Sequence, residues 1–308
     1  MSESQITTAR GSHLSRISTI AIHTFTQLVR MKVFYFMAIF AVILIASNFF
    51  DLPQHSGPEA AGEHAIRMIK NWSTGPMTLF SVVLGVVATA LLLPKDIEDR
   101  TLYTILAKPV PRFDYLAGKL LGVVLLLFVS LAIMDLLMVA LLQFRVDMLI
   151  DQQTEVAKAM GWSAQEISAL REETLANGVN ASLHAAVFAI FLKATIMAAL
   201  ALLISTFSTS TLFTAVVGFL LFFIGHFQAD AREIYMQSGQ LGEGGIAKYG
   251  SLAFAMLVPD LQLFNVVDSI TEGKVMPLML MGKLTLVALY YLIFYTVASW
   301  FVFSDKEF

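Results

Sequence analysis

Residues 115–144 carry only two charges, Lys119 near the start and Asp135 within the run. That is longer than the ~20 apolar residues a helix needs to cross a ~30 Å hydrocarbon core. In lipid every backbone N–H and C=O has to be satisfied inside the segment, so the run reads as a helix. Composition extends the conclusion to the whole chain. Of 308 residues, 57% are hydrophobic and 14% charged, with a mean hydropathy of +0.74; soluble domains average about 45–50% apolar and about 25% charged. There is no cysteine, which excludes disulfides and thiolate metal sites. The net charge of -3 comes without any basic stripe interleaved with aromatics, so nucleic acid is not an expected partner.

The expected fold is all-α, a polytopic membrane protein with spans at about 33–50, 76–93, 115–144, 181–204, 211–227 and 284–303. Six crossings put both termini on one side. Ahead of the first span, Ile17, Ile20, Ala21, Phe25, Leu28 and Val29 recur every three or four residues, which predicts an amphipathic helix over 14–30 lying in the interface.

Between the second and third spans lies a charged island, residues 95–112. Ile97, Leu102, Ile105 and Leu106 fall near helical spacing, with Asp96, Glu98, Asp99 and Arg100 mostly opposite, which predicts a short amphipathic helix over 96–107. Pro94 is expected to stop the preceding helix, and Lys108-Pro109 to close this one with a cation and a breaker. Lys95, Arg100, Lys108, Arg112 and Lys119 form the densest basic patch in the chain, which places it on the cytoplasmic side. A solvated, capped loop is the plain alternative.

The run Ile97-Glu98-Asp99-Arg100-Thr101-Leu102 through Pro109-Val110-Pro111-Arg112, with Gly118-Lys119 after it, resembles the cytoplasmic coupling segment of type-2 ABC transporter permeases. The likeness is strongest to the subgroup associated with multicopper-enzyme maturation. Many members carry Gly where Arg100 stands, so a turn geometry does not transfer there. A second run, Pro259-Asp260 through Phe264-Asn265, is similar to a feature those proteins carry before the last span. The resemblance also implies that the 14–30 helix is an elbow helix. It further implies that Asp96, Glu98, Arg100, Thr101, Leu102, Ile105, Leu106, Lys108, Pro109 and Arg112 couple the permease to an ATPase.

Other features carry less. Gly118 and Gly122 form a G-x-x-x-G, which could let a helix approach closely, although a single such spacing reads as incidental. Asp135 and Lys193 are ionisable groups inside spans, a costly placement that calls for a partner or a translocation path. Counted from 144 and 181 they lie about 13 and 18 Å deep, so a pair between the third and fourth spans is the expectation. Residues 145–180 read as an external insertion in which Ser163 and Glu166 open a short helix as a capping box, ended by Asn177-Gly178. His55, Glu59, Glu63 and His64 match no known metal spacing and read as a solvated loop. Within the external loop 228–282, residues 246–258 are apolar but too short to cross, so they read as re-entrant or interfacial.

No G-x-x-x-x-G-K-[ST], G-x-S-x-G or H-E-x-x-H occurs, so this chain carries no phosphate-cradling loop of its own and no sign of an enzyme. The resemblance implies a permease subunit in the inner (cytoplasmic) membrane that pairs with an ABC ATP-binding subunit holding ATP and Mg. It implies a second permease protomer too, identical or a sister, and export of a cargo the residues do not name. An ATPase-independent transporter or a membrane scaffold is the competing class.

Overall fold

The computed structural model describes residues 12–31, 34–47, 58–98, 110–208, 210–237, 258–271 and 275–305. Among these it is all helical: α1 (His13–Arg30), α2 (Phe34–Ser47), α3 (Pro58–Glu98), α4 (Arg112–Ala159), α5 (Ala164–Asn177), α6 (Ala181–Phe207), α7 (Thr211–Gln237), a single 3-10 turn (Gln262–Phe264), α8 (Val267–Thr271) and α9 (Leu278–Ser304). Five stretches, in α3, α4, α6, α7 and α9, are long and apolar enough to cross a membrane, which makes this a multi-pass membrane protein. The 14 residues of α2 span about 21 Å, short of the ~30 Å core.

α6 organises the bundle. It is apolar on every side and almost wholly buried, as expected of a helix surrounded by others. It packs chiefly on α3 and α9, and also on α4 and α7. Small residues set the approach to α3: a Cβ at Gly85 would stand 3.1 Å from the Ala194 carbonyl oxygen and 3.5 Å from the Ala198 methyl.

Two boundaries differ from expectation. α3 begins at Pro58 rather than near residue 76, and it continues through Pro76 and Pro94 to Glu98. Pro94 removes one helical donor without ending the helix, because Leu92, Leu93 and Asp96 around it are buried and that packing outweighs the lost bond. The His55, Glu59, Glu63 and His64 loop is thus partly helical, with those side chains outside the described residues. α4 likewise runs on to Ala159, about 72 Å in all. It ends in a Schellman turn, with Trp162 N–H donating to Ala157 O and Gly161 N–H to Lys158 O, Gly161 adopting φ +80°, the left-handed geometry glycine accepts freely.

The predicted capping box is present: Glu166 N–H donates to Ser163 Oγ, and Ser163 N–H to Glu166 Oε2. α5 then folds back on the outer part of α4, where Thr174 Oγ1 donates to Gln153 Oε1 at 2.9 Å. The apolar run 246–257 lies outside the described residues.

α1 docks on α4, with Ala21, Thr24 and Leu28 buried. Gly118 and Gly122 are the reason it can. A Cβ at Gly118 would meet Ile20 Cβ at 2.7 Å, and one at Gly122 would meet Thr24 Cβ at 2.6 Å and Ala21 O at 2.8 Å. The G-x-x-x-G spacing is therefore not incidental; it is the seat of α1.

Candidate functional site at the foot of α3 and α4

The charged island is bounded by the end of α3 and the start of α4, and polar contacts gather at those two ends. Residues 99–109, which hold Arg100, Thr101, Leu102, Ile105, Leu106, Lys108 and Pro109, lie outside the described residues, as does the Glu98 side chain. Asp96, two residues before the end of α3, is only 6% exposed. Its Oδ2 lies 2.7 Å from Lys119 Nζ and accepts a hydrogen bond from the Tyr115 hydroxyl. Desolvating such a pair is costly. The third group, Tyr115, shares the carboxylate and offsets part of that cost.

Arg112 opens α4 and reaches the end of α9. Its guanidinium donates to the carbonyl oxygens of Phe303 and Ser304 at 2.9 and 2.6 Å, capping the negative end of that helix. Phe113 meets Trp300 edge-on and Tyr115 stacks on Phe303. Asp114, two residues on, accepts hydrogen bonds from Arg16 Nε at 2.9 Å and from His13 Nδ1. The Asp114 side chain is 1% exposed, with Arg16 and His13 as its basic partners.

The first two turns of α4 are thereby bonded to α1, α3 and α9 at once. Of the sequence candidates, Asp96 and Arg112 belong to this junction. His13, Arg16, Asp114 and Tyr115 belong as well and were not singled out. Separations of 101 and 98 positions from His13 and Arg16 to Asp114 leave no local pattern to find, and the 19 positions between Asp96 and Tyr115 cross the island itself, although Asp114 and Tyr115 directly follow Arg112.

The intramembrane candidates do not form the expected pair. Asp135 Oδ2 meets His184 Nδ1 at 2.7 Å, while Lys193, 2% exposed, sits nine residues further along α6, about 14 Å down its axis. Phe191 touches Phe128, seven positions below Asp135, which puts Lys193 well below that carboxylate. The depth count took positions 144 and 181 as level membrane boundaries, an assumption that fails because α4 continues past 144.

No curated protein matches the chain. The family model described as ABC-2 family transporter protein matches residues 18–307, nearly the whole of it. With its bundle of membrane-length helices, the chain belongs to the ABC-2 transporter family and is a permease subunit of an ABC transporter, not itself the ATPase.

Proposed function

We propose that the foot of α3 and α4 is where a separate ATP-binding subunit drives the membrane helices. In this reading residues 95–112 form a coupling element seated in a cleft of that subunit, with Glu98 and Arg100 as polar contacts and Leu102, Ile105 and Leu106 packed back on the bundle. Closure of the ATPase pair around ATP and Mg pushes the element. The welded start of α4 turns the push into a joint movement of α1, α3 and α9. The observation that supports this is the three-way bonding of Asp96, Arg112 and Asp114: a lever can transmit force only if its base does not yield. Coupling energy comes from the difference in contact between the two ATPase states.

α2 completes a six-span half with both termini cytoplasmic, α1 serves as the elbow helix, and two such halves, identical or sister, enclose an export path in the cytoplasmic membrane. The likeness to the multicopper-maturation subgroup does not identify the cargo.

The test is the charge exchange Glu98→Arg with Arg100→Glu, reconstituted with the ATP-binding subunit in liposomes. Permease-stimulated ATP hydrolysis is expected to fall about tenfold, the effect of ~1.4 kcal/mol of lost contact energy, with the permease dimer intact. Unchanged stimulated hydrolysis would count against a coupling role for Glu98 and Arg100.

A further inference from the structure

A second polar site lies away from the foot. The segment 258–264 enters the bundle: Leu261 N–H donates to Gly225 O at 3.0 Å, and a Cβ at Gly225 would stand 2.7 Å from Pro259 O, so only glycine admits the segment. Gly225 is fourteen residues past Thr211, the start of α7, and Tyr290 is fourteen residues before Ser304, the end of α9. Each count gives about 21 Å from the foot, about two-thirds of the way across a ~30 Å core. Between them opens a cavity of about 440 Å³, within the size range of small-molecule sites.

Its polar lining is Asp260, Gln228, Tyr290 and Tyr291; Leu263, Leu286 and Val287 supply the rest. Asp260 is only 7% exposed. One carboxylate oxygen accepts a hydrogen bond from the Gln262 N–H at 3.1 Å, and no Lys, Arg or His among the described residues pairs with it. The Gln228 Oε1 is buried with no hydrogen-bond partner among the described residues. The Tyr290 and Tyr291 rings meet edge to face at 71° with centres 5.2 Å apart. The chain thus places at membrane depth, where it is costly, a carboxylate with no cationic partner among the described residues, beside a buried amide oxygen and two electron-rich ring faces.

Each of these groups attracts positive charge. An anion is repelled. A divalent metal ion finds at most the two oxygens of Asp260, one of Gln228 and the two tyrosine hydroxyls, short of the six to eight oxygens Ca²⁺ takes or the octahedron Mg²⁺ demands, and the apolar wall supplies none. What the site complements is an organic ammonium: N–H donors for Asp260 and Gln228, charge for the tyrosine faces, and an alkyl part for Leu263, Leu286 and Val287. We propose that this cavity binds a primary alkylammonium. The site deepens the transport reading by naming a ligand class, and its meaning as a cargo site rests on that reading, whereas binding itself does not.

The experiment uses full-length permease in nanodiscs and radiolabelled hexylammonium in equilibrium dialysis, with empty nanodiscs as the partition blank and hexanoate and hexanol as probes of equal chain length. Saturable binding of hexylammonium alone is expected, weakened about tenfold or more by Asp260→Asn, as loss of a desolvated charge contact implies. Leu286→Trp fills the cavity without altering its charge, so it should also abolish binding and keeps the idea testable if Asp260→Asn fails to fold. Equal binding of hexanoate or hexanol, uptake no greater than in empty nanodiscs, or full affinity in a folded Asp260→Asn or Leu286→Trp variant would overturn the proposal. Failure of coupling at the foot shows in hydrolysis and leaves this binding intact; loss of this binding leaves the coupling measurement untouched.

Discussion

Lys119→Met is expected to destabilise the permease by about 3–5 kcal/mol, the usual cost of stranding one member of a buried ion pair. The ammonium is 2.7 Å from Asp96, and the two side chains are 4% and 9% exposed, so water cannot replace what is removed. The Tyr115 hydroxyl still donates to that carboxylate oxygen, but a single neutral hydrogen bond contributes about 1 kcal/mol. Against a total stability of about 5–15 kcal/mol for a typical domain, that loss lowers the melting temperature of the purified protein sharply. Asp96→Leu should do comparable damage, by leaving the buried ammonium with the Tyr115 ring in place of a carboxylate. The pair Lys119→Met with Asp96→Leu should lose less than the two single losses added, because no buried charge is left without its counterpart. Additive losses would show that the two groups do not act as a unit and would remove the rigid base from the coupling scheme.

The second large effect concerns α1. At Gly122 even a methyl group would lie 2.6 Å from Thr24 Cβ and 2.8 Å from the Ala21 carbonyl oxygen, and a backbone atom cannot step aside by changing rotamer. Gly122→Leu therefore has to lift α1 off α4. Overpacking of this kind costs about 1–3 kcal/mol and occasionally more. The separation also pulls Arg16 and His13 away from Asp114. Limited trypsin digestion reads the outcome: cleavage at Arg16 and Arg30 should accelerate in Gly122→Leu and remain at the parent rate in Gly282→Leu, where nothing lies within 4 Å of the added Cβ. Equal rates in both variants would mean that the glycine pair does not seat the helix.

Hydropathy placed most membrane-length helices close to their observed positions, since an apolar run in lipid has almost no alternative to a helix. α6 at Ala181–Phe207 and α7 from Thr211 illustrate this. The capping box at Ser163 was equally legible, because its two partners sit three residues apart. What hydropathy missed follows from its range. α3 passes through Pro94 because buried neighbours outweigh one missing donor, and no window around a proline reports that packing. Gly118 and Gly122 carry no local sign of which helix they admit; α1, a hundred positions earlier, supplies it.

The candidate site divides the same way. Asp96 and Arg112 stood out as charges flanking an island, but their partners Lys119, Tyr115 and the α9 carbonyls come from packing. Asp135 was recognised as a costly intramembrane carboxylate, and its partner His184 was overlooked because an imidazole near a helix start looks ordinary in sequence.

Since the chain contains no cysteine, a single Arg100→Cys variant carries one unique thiol in the segment assigned to the ATPase. Labelling that thiol with a membrane-impermeant maleimide, with and without the ATP-binding subunit, tests the coupling account most directly. The account predicts modification in inside-out vesicles, none in right-side-out vesicles, and protection once the ATP-binding subunit is bound. Modification from the outer face, or a rate in inside-out vesicles that the bound subunit leaves unchanged, would contradict it.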